Sequence, residues 1–314
     1  FSEFSYGFRP NRSAHQAIEQ ARQFIESGYN FVVDIDLEKF FDKVQHDKLM
    51  SLIAKTISDK PTLKLIRRYL QAGVMEHGIV TVNREGTPQG GPLSPLLSNI
   101  ILNELDKELE KRGHRFVRYA DDCNIYVKST RAGERVKEGI SEFIEKKLKL
   151  KVNEEKSAVG KPRARIFLGM SFYKYRKKIR IYVPKKNKKK LEGKLRKLTN
   201  RNWGVNMEYR IQKINQLIQG WGNYFKIGDL KKYAINLDAH IRRRLRACRW
   251  KGWKKSRTKF KNLVKLGIPK EEAWRNANSR KGYWRMSNSP AVDIALNNNY
   301  WKSLRLKSLS EVIS

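Results

Sequence analysis

Three features of this 314-residue chain predict a mixed α+β unit followed by an all-helical one. Residues 13–28 carry helix signals at both ends and lead into an apolar strand. Residues 116–127 alternate apolar and polar side chains as a hairpin does. Past Val183 the strand signals stop, leaving two long helical stripes on a strongly basic background.

In chain order, Ser13 and Gln16 fit a capping box, Ala17, Ile18, Ala21, Phe24 and Ile25 form one apolar face, and Gly28 ends the helix. Phe31, Val32, Val33, Ile35 and Leu37 then read as a buried strand, interrupted on one face by Asp34 and Asp36. Helices are expected from Leu49 to Ile57 and from Leu63 to Leu70. From Gly86 to Pro95, three glycines and three prolines in ten residues exclude a regular element. Leu97, Ile101, Leu105 and Leu109 then space a helix that Gly113 could end. A hairpin follows with Ala120, Asp121 and Asp122 near its tip. After it come a helix through Val136, Ile140, Phe143, Ile144 and Leu148 and strands around Phe167 and Ile181. Strand, helices, hairpin and helix in this order suit an α+β domain.

Adjacent carboxylates repel unless a proton or hard cation intervenes, and magnesium suits such a place because one or two carboxylates, water and substrate phosphates complete its shell. Alone, Asp121-Asp122 reads as a solvated turn. A third acid changes that reading. A carboxylate in an apolar strand is costly unless paired or metal-bound, which nominates Asp36 first and Asp34 second. The glycine-rich turn opening a helix would let backbone approach a phosphate or base closely.

Lys and Arg total 68 against 31 Asp and Glu, a formal net charge of +37. A polyanion is the expected partner. A membrane surface is disfavoured, since there is no apolar run of transmembrane length and no signal-peptide pattern. Cys123 and Cys248 stand too far apart in sequence for a disulfide framework or a Cys-rich zinc site, which fits a reducing interior.

The composition shifts at Pro184, where PKKNKKK begins. Beyond it run the stripes Ile211, Ile214, Ile218, Trp221, Phe225 and Leu230, Tyr233, Leu237, Ile241, Leu245, Cys248. Arg242, Arg243, Arg244, Arg246 and Arg249 fall largely off the second stripe, with Lys254 beyond. Trp250 and Trp253, among these arginines, could stack on bases or fill a core. If six to ten phosphates are neutralised, affinity should drop roughly 10³- to 10⁵-fold between about 50 and 200 mM salt.

The ordered set FSYGFRPNRSAHQAI, DLEKFFDKVQHDKL, GTPQGGPLSPLLSNIILNELD, YADD, LKVNEEKS and FLGMSFY resembles that of group II intron reverse transcriptases. The segment WGNYFKIGDLKKYAINLDAHIRRRLRACRWKGWKK is similar to their maturase-specific region, and ANSRKGYWRMSNSPAVDIALNNNYWKSLRL to the tail of short bacterial members without the Cys- and His-rich endonuclease. The resemblance implies a right-hand polymerase palm with partial fingers in residues 1–183, a helical thumb/maturase domain in 184–257 and a nucleic-acid-binding region in 258–314. It identifies Asp36 as the family's metal-binding aspartate, holding two Mg²⁺ ions with Asp121 and Asp122 for in-line nucleotidyl transfer.

By the same resemblance Phe41 is the bulky gate against a ribose 2′-hydroxyl, although Phe40 and Phe41 are adjacent and one must face a core. Pro88, Gln89 and Gly91 line the nascent base pair and template. Lys156 resembles a proton donor to pyrophosphate, and reads otherwise as a solvated lysine in a charged loop. Phe167, Leu168 and Gly169 resemble the primer grip, where periodicity alone puts the first two in a strand core. Arg9 resembles a fingers residue near the incoming nucleotide.

The implied partners are group II intron RNA, an RNA template with a DNA primer, deoxynucleotides and target DNA, in a bacterial cytoplasm close to the nucleoid. Rival readings are a splicing-only maturase, disfavoured by intact Asp36, Asp121, Asp122 and Gln89, and a related enzyme recruited to a defence or CRISPR system, disfavoured by the maturase-like region. The chain opens at Phe1 at what resembles the family's second block, which implies an upstream segment building the rest of the fingers.

Overall fold

The computed structural model describes residues 1–72, 74–76, 79–81, 85–87, 91–176 and 178–314. They form two compact units, Phe1–Ile181 and Tyr182–Ser314. In chain order the first contains α1 (Ala14–Glu26), β1 (Phe31–Ile35), α2 (Phe40–Lys43), α3 (His46–Ile53), α4 (Lys60–Gln71), β2 (Val74–Glu76), β3 (Ile79–Thr81) and α5 (Ser94–Lys111). There follow β4 (Arg115–Tyr119), β5 (Asp122–Val127), α6 (Thr130–Phe143) with a π-helical turn Ile144–Leu148, β6 (Ala158–Gly160), β7 (Ser171–Tyr175) and β8 (Lys178–Tyr182), which ends in the second unit.

Local chemistry sets several boundaries. At α1 the Gln16 N–H donates to Ser13 Oγ at 3.3 Å and the Ser13 N–H to Gln16 Oε1 at 2.8 Å, closing the expected capping box. Ala17, Ile18, Ala21, Phe24 and Ile25 are its buried face, and Gly28 turns the chain at φ 93°. Helix α3 stops at Ile53 rather than running to Ile57, because Asp59 caps α4 through the Thr62 N–H (2.8 Å) and Pro61 occupies the first turn of α4.

The main sheet has the order β4-β5-β1-β6, every pairing antiparallel. Asp34 lies opposite Asn124 and Ile35 opposite Cys123, so the end of β1 sits beside the start of β5. Helix α6 packs on β1, β5 and β6, and α1 on β4. Val33, Ile35, Leu97, Ile101, Leu105, Phe116 and Ile125 share one core. The N-terminal segment runs alongside β4: the Arg118 N–H donates to the Phe4 carbonyl and the Tyr6 N–H to the Arg118 carbonyl, both at 2.9 Å. It thereby covers a sheet edge.

The strand expected around Phe167 is not there. Phe167 and Met170 close a tight turn by reciprocal backbone bonds of 2.8 and 2.9 Å, with Leu168 (φ 50°) and Gly169 (φ 76°) between them, and β7 starts at Ser171. Two successive left-handed residues cannot lie in a strand.

The second unit is helical: α7 (Lys185–Leu198), α8 (Met207–Phe225), α9 (Lys231–Gly252), α10 (Ser256–Lys265), α11 (Lys270–Ala277), α12 (Tyr283–Met286), α13 (Pro290–Ala295), α14 (Asn298–Ser303) and α15 (Leu309–Val312). Ile211, Ile214 and Ile218 of α8 and Leu237, Ile241 and Leu245 of α9 meet in a core that also takes Leu263, Ala273, Val292, Trp301 and Leu309. The helices after residue 257 therefore share the core of those before it. Among the described residues no helix is long and apolar enough to cross a membrane.

Candidate active site

Tyr119 pairs with Asp122, which leaves Ala120 and Asp121 as the connection between β4 and β5. Ala120 adopts φ 56°, and its carbonyl accepts from Arg118 Nη1 at 2.8 Å. Arg118 is wholly buried. Its Nε and Nη2 donate to the two oxygens of buried Asp106 at 2.7 and 2.6 Å, Nη1 also donates to Asn99 Oδ1 at 3.0 Å, and Nη2 to Ser5 Oγ at 2.8 Å. Asn99 Nδ2 in turn donates to the Gly7 carbonyl at 2.9 Å. A Cβ on Gly7 would run into the Ala120 nitrogen, so glycine alone lets this segment come so close. Sequence reasoning nominated neither Arg118 nor Asp106, Asn99, Ser5 or Gly7, because partners from separate elements leave no local pattern.

Asp36 leaves the end of β1 and is fixed by its backbone. The Asn153 N–H donates to its carbonyl at 2.9 Å, and its own N–H donates to Ser157 Oγ at 3.0 Å. The loop so tied down carries Lys156, whose exposed Nζ stands 3.6 Å from Asp36 Oδ1. Asn153 and Ser157 were also missed, although both lie inside the LKVNEEKS stretch.

Asp34 is half-buried, and its carboxyl is pushed up to about 6, first by burial, against the pull of Arg165, and then by Asp122 and Asp36. The Asp122 carboxyl is likewise pushed up to about 6, by crowding among protein atoms and then by Asp121 and Asp36. Because Asp122 keeps an exposed surface, the neighbouring carboxylates are the firmer cause of its shift. Asp34, Asp36, Asp121 and Asp122 thus form one field of mutually repelling acids at the ends of β1 and β5.

Among the described residues no three His, Cys, Asp or Glu side chains converge into a ready-made metal cage. The donor set still suits a hard cation. Mutually repelling carboxylates attract one, and magnesium takes few protein ligands and completes its shell with water and substrate phosphates. Asp36, Asp121 and Asp122 could supply that partial shell.

Pro88 and Gln89 lie outside the described residues. The start of their loop, however, is anchored beside Phe41: the Thr87 N–H donates to the Phe41 carbonyl at 2.6 Å, and the Gly86 carbonyl bonds His46 Nε2 at 2.6 Å. Gly86 sits at φ 92°, where a Cβ would lie 2.9 Å from the Phe41 and Asp42 carbonyl oxygens. Of the adjacent phenylalanines, Phe40 enters the core and Phe41 stays half-buried. Gly91 packs under the Tyr69 hydroxyl. Arg9 Nη1 donates to the Ser2 carbonyl and, at 3.0 Å, to that of Ser5, so its guanidinium ties its own loop. Phe167 is buried, with Leu168 and Gly169 forming the turn beside it.

In the second unit several basic candidates are structural. Trp250 and Trp253 are 1% and 8% exposed, packed ring to ring at 5.8 Å, and present no face to a base. Arg246 is buried, paired with Asp293 and donating to the Ser287 carbonyl at 2.9 Å. Helices α12, α13 and α14 cover a second side of α9, which a single-stripe reading cannot show. Arg244 Nε donates to Thr199 Oγ1 at 2.5 Å, and Arg249 Nε to the Tyr300 hydroxyl at 2.7 Å. Arg242 and Arg243 are half-buried and Lys254 is exposed.

Residues 1–172 match the family model for reverse transcriptase (RNA-dependent DNA polymerase). The chain belongs to that family. Residues 188–267 match the model for the group II intron maturase-specific domain, so the chain joins a mixed helix-and-sheet reverse transcriptase fold to a segment of that kind. Protein YkfC of Escherichia coli K12 is 34% identical over 197 residues, covering 51% of this chain and 52% of that protein. The group II intron-encoded protein LtrA of Lactococcus lactis is 30% identical over 223 residues, 51% of this chain and 37% of that protein. The chain thus spans about half, or less, of the length of these curated relatives. Apo telomerase from Candida tropicalis aligns over 99% of this chain and 57% of its own, at 14% identity and a TM-score of 0.46.

Proposed function

We propose that the protein is the RNA-directed DNA polymerase of a group II intron, copying RNA into DNA and binding intron RNA to assist splicing and mobility. The observation that carries this reading is that Asp121 and Asp122, on a turn braced by Arg118, lie in one acidic field with Asp36 at the neighbouring strand end. Residues 1–183 act as palm and partial fingers, 184–257 as thumb and maturase domain, and 258–314 as a further nucleic-acid-binding region.

Asp36, Asp121 and Asp122 would hold two magnesium ions, which when bound lower the pKa of a primer hydroxyl and neutralise a triphosphate. Phe41 packs beside the sugar of a deoxynucleotide and excludes a 2′-hydroxyl. Gln89, with Pro88 and Gly91, lines the template. Lys156, on its tethered loop, delivers a proton to the departing pyrophosphate, and Phe167 to Gly169 steady the primer. Arg242, Arg243 and Lys254 face RNA. Target DNA binding would keep the protein beside the nucleoid.

Primer extension on an RNA template, with deoxynucleotides and magnesium, tests this in the wild type and in Asp121→Ala alongside intron-RNA binding. Extension lost in the variant with binding retained supports the reading. A wild type that binds tightly and never extends would replace it with a splicing-only maturase.

A further inference from the structure

We infer that the C-terminal helices hold a site for an unpaired stretch of RNA, with phosphates in a basic cleft and a base on Trp284. The inference rests on the reading that this unit binds RNA, and adds which residues do so and what form of RNA they select. Between α9, α11 and α12 lies a cleft of about 510 Å³ into which Arg243, Arg275, Lys281 and Arg285 converge, with no acidic residue in its wall. Among the described residues none of these four cations makes an ion pair with a carboxylate. Repulsion among them favours a polyanion in the cleft.

The aromatic component is independent of that charge. Trp274, Tyr283 and Trp284 are 62%, 41% and 40% exposed, unlike the core residues Trp250 and Trp301. The guanidinium of Arg243 lies 4.1 Å from the centre of the Trp284 ring, and its buried Nε has no hydrogen-bond partner. Arg243 therefore orients the indole at the margin of the cleft. Exposed rings beside phosphate-binding cations take bases that are splayed out, which a duplex does not offer. The choice of RNA rests on the proposed function: of the site's residues Arg243 lies within the maturase-specific match over residues 188–267, and Arg275, Lys281, Trp284 and Arg285 follow it in the same unit.

The test is fluorescence anisotropy with a labelled, unstructured oligouridylate, the oligodeoxyuridylate of equal length and an RNA duplex of equal length. Trp284→Ala removes no charge and should weaken oligouridylate binding roughly 5- to 150-fold, the range for one stacked base at about 1–3 kcal/mol, with the salt slope and duplex binding unchanged. Trp284→Phe should retain binding. Arg275→Ala and Arg285→Ala should each lower the salt slope by about 0.7. Wild-type affinity in Trp284→Ala, or equal weakening toward single strand and duplex, would overturn the site. Equal affinity for the deoxy strand, with the same sensitivity to Trp284→Ala, would assign it to DNA and overturn the RNA reading. Binding is read without deoxynucleotides and needs no extension, so failure of wild-type primer extension would sink the polymerase reading without touching this result.

Discussion

Arg118 and Asp106 form an ion pair wholly excluded from water, both carboxylate oxygens accepting from one guanidinium at 2.7 and 2.6 Å. The same guanidinium reaches the Ala120 carbonyl, so the pair braces the turn that presents Asp121 and Asp122. Asp106→Ala leaves a buried, uncompensated cation and should cost about 3–5 kcal/mol in urea unfolding. A loss below about 1 kcal/mol would mean that water or another acceptor replaces the carboxylate, and that the turn does not depend on the pair.

The acidic cluster makes stability depend on pH in an unusual direction. Asp34 and Asp122 titrate near 6 in the fold against 3.8 in the unfolded chain, so the folded state holds protons that the unfolded state has released. Without divalent cations, stability from these groups is full below about pH 4 and is lost as pH rises toward 6. Asp34→Asn should therefore stabilise the metal-free protein at pH 7 by about 1–2 kcal/mol and give no gain at pH 4. Denaturant midpoints in EDTA at both pH values measure this, and a variant less stable than wild type at pH 7 would show that Arg165 outweighs the repulsion.

Gly86 combines a left-handed backbone with carbonyl oxygens 2.9 Å from where a Cβ would sit. Neither the strain nor the contact can be relieved by turning a side chain. Gly86→Ala should lower the unfolding free energy by more than about 1 kcal/mol and detach Thr87 from the Phe41 carbonyl. Unchanged thermal stability would show that the loop can leave Phe41 freely.

Lys156 and Asp36 are 3.6 Å apart at an exposed site, so Lys156→Met should change stability by less than about 1 kcal/mol. If Lys156 gives a proton to pyrophosphate, kcat for extension should fall at least about 10²-fold with the nucleotide KM little changed. An unaltered kcat would leave it a solvated lysine.

What was legible in the sequence is what local rules govern. Ser13, Gln16 and Gly28 bound α1 because capping acts within one turn, and alternation around Asp121 announces the hairpin because burial on one face needs only period two. Asp36 stood out because a carboxylate at the end of an apolar strand needs a reason. Leu168 was misread because a bulky residue takes a left-handed conformation only where tertiary contacts impose it. Arg246 escaped because Asp293 and Ser287 bury a side of α9 that looks polar in isolation, and Trp250 because its packing on Trp253 and beside Lys259 is set by the fold after α9. Arg118 escaped because Asp106, Asn99 and Ser5 reach it from other elements.

The central claim is that Asp36, with Asp121 and Asp122, forms a polymerase metal site while Asp34 only shapes its electrostatics. Magnesium-dependent primer extension on RNA, measured side by side for Asp36→Asn and Asp34→Asn, separates the two. Extension abolished in Asp36→Asn and retained in Asp34→Asn is the expected result. Undiminished extension in Asp36→Asn, or loss only in Asp34→Asn, would contradict the account.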